Sequence, residues 1–311
     1  GVNAITGFAL QRNTALYLIL DKYDSKYKDA NYFVCIEHHE DCLICFLDKS
    51  NSIKTIEAYQ SKKKSTDSWT LNNDFIKIIE KILCTGKDLI CDTSYPKSED
   101  YIHFLFFVTN QTVNLKKSSD SISIKEDNVC VKYNDLPSSI KDCIKQGIKN
   151  EDLHDELEKT SILWIDLSRI ATNQEDQLVG KIERIFGDKI ESARAALKLI
   201  LELFRNIEST YNDNNVASLL DETKRVTSNE VNQAFNIITT QSKCFTFWRE
   251  QKSQICKSLE IPVKDRSLFQ FHFESAFDYF KLESNAEYIQ IKNFVIENFN
   301  SIDDAYDEVE M

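Results

Sequence analysis

At 311 residues and 36.1 kDa, with 42% hydrophobic and 28% charged residues, the chain has the length of about two domains of ~150 residues and the balance of a protein that buries a core. Only 6 Gly and 3 Pro occur, and none of the patterns G-x-G-x-x-G, G-x-x-x-x-G-K-[ST], G-x-S-x-G or H-E-x-x-H is present. This disfavours glycine-cradled nucleotide sites, serine-elbow hydrolases and helix-borne zinc proteases. A net charge of -12 and a pI near 5.0 argue against coating nucleic acid by bulk attraction, so any such contact must be local.

Asn3 to Tyr23 carries apolar residues three and four apart (Ile5, Phe8, Ala9, Ala15, Leu16, Ile19, Leu20), which predicts an amphipathic helix. Asn31 to Leu47 is aromatic, β-branched and Cys-rich around a polar interruption from Glu37 to Asp41, and reads as two strands meeting there. Ile53 to Lys62 reads as a third strand, Lys63 to Ser68 as a polar loop, and the run from Asn72 as a helix through Phe75, Ile79, Ile82 and Leu83. Tyr101 to Thr109 is almost wholly apolar, as expected of a strand covered on both faces, and Ser161 to Leu167 reads as its companion in one sheet. Between them a polar strand pair is expected near Ser121 to Tyr133, then a helix after Pro137. From Thr172 the period is helical. Boxes Thr172-x-x-Glu175 and Thr227-x-x-Glu230 are expected to cap helix starts, and Leu197, Ile200, Leu201 and Phe204 form one apolar stripe. Later aromatic stripes from Phe245 to Val295 predict three or four more helices. Tyr211 to Asn215 is the best junction by composition, dividing the chain into residues 1–211 and a helical region at 212–311.

Nine cysteines, an odd number scattered through apolar runs, point to a reducing cytoplasm. The longest apolar runs fall far short of the ~20 residues that span a bilayer, so no membrane embedding is expected. Cys42 and Cys45 lie three apart in an apolar strand. They point to opposite faces and do not chelate one zinc ion without a turn.

The constellation that carries chemistry is Glu37 and Asp41 with Gln60 and Lys62. In a strand the side-chain period is two, so Gln60 and Lys62 share a face, and a neighbouring strand starting at Asp41 sets its carboxylate beside them. A carboxylate and an amide oxygen are hard ligands suited to Mg²⁺ or Mn²⁺, and an adjacent ammonium can orient water or stabilise a phosphorane-like transition state. Those are the parts phosphodiester hydrolysis needs.

Asp41 followed by Gln60-Ser61-Lys62 late in the third strand resembles the D-x(n)-(E/Q)-x-K core of the PD-(D/E)XK nuclease superfamily. Gly7-Phe8-Ala9-Leu10-Gln11, Ile36 to Asp41, Tyr59 to Lys62, Trp69-Thr70-Leu71 and Phe107-Val108-Thr109-Asn110 together resemble one antiphage branch. These are the double-stranded DNA endonuclease domains of CBASS effectors and of the nuclease subunit of Lamassu systems, over roughly residues 4 to 210. The resemblance implies an α/β fold: a restriction-endonuclease-like mixed sheet flanked by helices, followed here by an all-helical C-terminal region for assembly or docking. It implies Asp41 as principal metal ligand, Gln60 in place of the usual Glu as second ligand, Lys62 as catalytic lysine, and Glu37 and Gln11 in support. Lys63 and Lys64 are positioned to grip the DNA backbone.

The expected function is a metal-dependent endonuclease acting on double-stranded DNA in a defence complex. About 100 residues follow residue 211, which is small for a cyclic-oligonucleotide sensor domain. A subunit recruited by an SMC-like ATPase and an accessory subunit, forming a homo-oligomer once activated, fits better. The alternative is a nuclease-fold protein without catalysis that binds DNA or a partner. A third reading, a thiol-based hydrolase of small molecules, predicts inactivation by alkylation.

Overall fold

The computed structural model describes residues 2–36, 41–63, 68–126, 129–187, 193–209, 219–232 and 234–235. Glu37, Lys64, the 211–215 junction and the aromatic stripes from Phe245 onward lie outside the described residues.

The first helix, α1 (Val2–Asp21), buries Ala15, Leu16, Ile19 and Leu20 as its spacing predicts. Three strands follow in a meander: β1 (Tyr32–Ile36), β2 (Cys42–Leu47) and β3 (Ile53–Ser61). The β2–β3 turn is fixed by Asp48, whose Oδ1 accepts from Ser50 and Ser52 N–H at 2.7 and 2.9 Å. Asn51 takes the left-handed conformation (φ 58°) that Asn tolerates better than most residues. A short β4 (Ser68–Thr70) leads to α2 (Asn73–Cys91), capped by Asn72 Oδ1 accepting from Phe75 N–H at 3.0 Å. This crossover brings β5 (Lys97–Thr109) parallel to β3, and β9 (Thr160–Trp164) lies parallel to β5.

The main sheet has seven strands in the order β10-β1-β2-β3-β5-β9-β8, where β8 is Cys130–Lys132 and β10 is Val226–Thr227. Three further strands form a small sheet, β4 with β6 (Thr112–Lys117) and β7 (Asp120–Ile124). The helices α3 (Ser138–Gly147), α4 (Ala171–Phe186) and α5 (Ala193–Ser209) are also described, as is a 3-10 helix at Glu151–Lys159. This is the expected α/β class, a mixed sheet flanked by helices, as in restriction-endonuclease-like folds.

The principal core lies between the sheet and α2. Phe33, Cys35, Leu43, Cys45, Ile56, Ala58, Leu105, Phe107 and Ile162 from the strands meet Phe75, Ile79, Ile82 and Leu83 from α2. The opposite face carries Tyr32 and Phe46, whose rings meet Tyr27 of the single π-turn that follows α1. Contacts divide the chain into two units, residues 1–185 with 197–233, and 186–196 with 234–311.

Three expectations need correction. The strands near Ser121 to Tyr133 do not pair with each other: β7 pairs with β6, and β8 with β9. Pairing is a tertiary choice that a local pattern cannot announce. The N-terminal half of β5 is covered on one face only, for Ile102 and Phe104 are 43% and 38% exposed while His103 and Leu105 are buried. The Thr172 box is not used as a cap. The helix already includes Ala171, and Gln174 N–H bonds the Ile170 carbonyl instead. The Thr227 box does form: Glu230 Oε2 accepts from Thr227 N–H at 2.7 Å, and Thr227 Oγ1 from Glu230 N–H at 3.3 Å.

Candidate active site

Register builds the site. Cys42 pairs with Tyr59, so Asp41, one residue earlier, comes level with Gln60 at the end of β3. Leu43, Cys45, Ile56 and Ala58 face α2, and by the two-residue period Asp41, Gln60 and Lys62 point to that same side. Asp41 Oδ2 accepts from Ser61 backbone N–H at 2.7 Å, which fixes the carboxylate against the strand end. Lys62 Nζ lies 4.0 Å from the same oxygen, and Lys62 N–H bonds the Val108 carbonyl of β5 at 2.9 Å. Asp41 and Gln60 are buried, at 5% and 0% exposure, while Lys62 is half-open to water. The acid and the amide-lysine couple therefore converge on one surface.

Burial pushes the Asp41 carboxyl above its ordinary range. The Lys62 ammonium, the Gln60 amide, Lys81 and the Ser61 N–H each act in the opposite direction.

The structure adds a residue that the sequence reading passed over. Lys81, on α2, donates from Nζ to Gln60 Oε1 at 2.7 Å, while Gln60 Nε2 is buried without a hydrogen-bond partner. The signal was faint: Lys81 adjoins the core position Ile82, on a helix whose other lysines read as solvated charge. Lys63 is exposed just beyond β3. Gln11 lies on α1, which contacts β2 and β3. Its Oε1 is buried without a hydrogen-bond partner.

The small sheet closes the same end of the site. Trp69 Nε1 donates to Thr109 Oγ1 at 3.0 Å, and its ring meets Phe107 edge-on with centroids 5.3 Å apart. The two sequence stretches around Trp69 and Phe107 thus form one anchor where β3 and β5 terminate.

For a divalent cation the donor set is lean but chemically matched. Among the described residues no three His, Cys, Asp or Glu side chains gather as a metal cage. Asp41 nonetheless offers a hard oxygen, and Gln60 a second once its amide turns from Lys81; Mg²⁺ binds through one or two protein ligands with waters and substrate phosphates completing the shell. The unsatisfied Nε2 of Gln60 marks an amide whose present orientation leaves a buried donor unpaired. The residues fit a cation.

A mixed sheet flanked by helices, with a buried carboxylate at the start of its second meander strand and an amide-x-lysine at the end of the third, is consistent with the restriction-endonuclease-like class of fold. Residues 1–210 match the family described as Cap4, dsDNA endonuclease domain, and the chain belongs to that family. No curated protein and no solved structure gives a match. The protein is a DNA endonuclease of antiphage defence, with double-stranded DNA as substrate. No described helix is long and apolar enough to cross a membrane.

Proposed function

We infer that this endonuclease is metal-dependent, with Mg²⁺ or Mn²⁺ held by Asp41 and Gln60, Glu37 as a supporting ligand, and Lys62 as the catalytic lysine. The observation that carries the reading is the convergence at the β2–β3 end: Asp41 and Gln60 side by side, with Lys62 Nζ 4.0 Å from Asp41 Oδ2. Bound there, the ion supplies a Lewis acid and lowers the pKa of a water molecule. The Ser61 N–H orients the carboxylate. Lys62, anchored through its backbone to Val108, sets a half-exposed ammonium where charge develops on the scissile phosphate. Lys63, Lys64 and Gln11 are the proposed DNA contacts. Lys63 and Lys64 follow β3 directly, so they supply positive charge locally in a chain that is acidic as a whole.

The resemblance to Lamassu nuclease subunits supports an SMC-like ATPase and an accessory subunit as partners in the cytoplasm. On this reading residues 1–211 cut, residues 212–311 dock or assemble, and the active form is a homo-oligomer.

Supercoiled plasmid incubated with Mg²⁺ or Mn²⁺ tests the catalytic reading. Wild type relaxes or linearises it and EDTA stops the reaction, while Asp41→Ala and Lys62→Ala leave the plasmid intact. Equal cleavage by all three proteins removes the site. DNA that is bound yet uncut by wild type, with and without the partner subunits, supports the reading in which the fold serves binding alone.

A further inference from the structure

The geometry points to Lys81 as a positioning residue that competes with the divalent cation for the side-chain oxygen of Gln60. This rests on the proposed metal site. Two observations place Lys81 in that role. Its Nζ is 2.7 Å from Gln60 Oε1, and the other end of the same amide, Nε2, is buried without a hydrogen-bond partner. An ammonium only donates, so it selects the amide rotamer that turns oxygen toward α2. The nitrogen is thereby left on the remaining side, and the Gln60 amide lowers the pKa of the neighbouring Asp41 carboxylate. In this arrangement Asp41 and Gln60 do not present two oxygens to one point.

A cation held by Asp41 and Gln60 needs that oxygen. An ammonium and a divalent ion both bonded to it would lie a few Å apart, well inside the screening length of ~10 Å at 0.1 M salt, so each weakens the other's hold on the shared oxygen. Lys81 can give way. Its residue is largely exposed on α2, and its long side chain can return the ammonium to water. Gln60 is fully buried, so its amide can turn only in place. Glutamine rather than glutamate is what gives the lysine this leverage, because an amide has one oxygen where a carboxylate has two. With glutamate, one oxygen can serve Lys81 while the other serves the ion.

The test is Mn²⁺ binding to the intact chain without DNA, read by electron paramagnetic resonance of the free ion, so that it does not depend on cleavage. Wild type binds Mn²⁺ and Asp41→Asn does not. Lys81→Met tightens binding ~tenfold, the size of one charge-assisted hydrogen bond relinquished. Lys81→Arg, which keeps a donor cation, stays near wild type. In a Gln60→Glu background the same Lys81→Met change tightens binding by no more than the ~twofold to threefold expected from removing a nearby positive charge. If Mn²⁺ binds and is lost in Asp41→Asn, but Lys81→Met leaves affinity unchanged or weakens it, the competition is refuted and the metal site stands. An equal effect of Lys81→Met with and without the Gln60→Glu change refutes it as well, leaving simple charge repulsion. Absence of Mn²⁺ binding in wild type overturns the metal site itself and the competition with it.

Discussion

Replacing Gly86 with Ala sets helix propensity against packing at one buried point. Gly86 lies inside α2, where Ala is favoured over Gly by about 1 kcal/mol. Here, however, a Cβ would stand 2.5 Å from Glu156 Oε2 and 2.9 Å from Leu105 Cδ1. Neither neighbour has room to retreat, since Glu156 and Leu105 are 1% and 0% exposed. Glu156 Oε2 is also the atom that meets His103 Nε2 at 2.5 Å, and Lys159 Nζ holds the other carboxylate oxygen at 3.1 Å. Overpacking costs about 1 to 3 kcal/mol, and weakening a hydrogen bond to a charged group costs about 1.5 to 3 kcal/mol. Offset by the propensity gain, Gly86→Ala is expected to destabilise by about 1.5 to 5 kcal/mol.

Gly180 provides the matched control, because it too lies within a helix, α4, and a Cβ there meets nothing within 4 Å. Gly180→Ala is expected to stabilise by about 1 kcal/mol. Thermal unfolding should then move the two variants in opposite directions, with the loss at Gly86 exceeding the gain at Gly180. A Gly86→Ala protein that melts at or above wild type would show that the Glu156 pocket is loose, and would refute the reasoning.

Cleavage should fail on the acid side at a pH above the ordinary carboxyl range. Burial raises the Asp41 pKa, so as pH falls the anion is lost early, and a rate profile still flat at the usual Asp pKa contradicts this. The stability sign follows from the same shift: the folded state holds the Asp41 proton more tightly, so this group's contribution to stability is present at low pH and declines as pH rises through the raised value. Asp41→Asn, which keeps an acceptor for Ser61 N–H and removes the buried charge, should abolish plasmid cleavage without lowering the melting temperature. Iodoacetamide on the native protein should modify the exposed Cys84 and Cys91 and spare the buried Cys35, Cys42 and Cys45, whose thiol pKa values burial raises. Cleavage should survive that treatment, as peptide mass spectrometry alongside the plasmid assay would check; loss of activity would favour thiol chemistry. Thr227→Ala removes a capping-box oxygen and should cost about 0.5 to 2 kcal/mol in denaturant unfolding.

The meander and its site were legible because they are built from local rules. Alternation along Ile53 to Ser61 fixes which side chains share a face, and the Asp48 to Ser52 turn fixes the register that sets Asp41 level with Gln60. What stayed hidden depends on contacts between distant segments. Nothing near Ser121 says that β7 will choose β6, and the apolar run at Ile102 to Phe104 reads alike whether one face is covered or two. Lys81 is the clearest case. On α2 it resembles any solvated lysine, and only the crossover that lays α2 over the sheet brings it to Gln60.

Anchoring Lys62 to Val108 has a temporal consequence. The carboxylate, the amide and the lysine are all synthesised by residue 62, yet the backbone that holds the lysine is tied to β5, a strand made later and reached through α2. A chain ending before β5 carries Asp41, Gln60 and Lys62 without the Val108 carbonyl that holds the lysine's backbone.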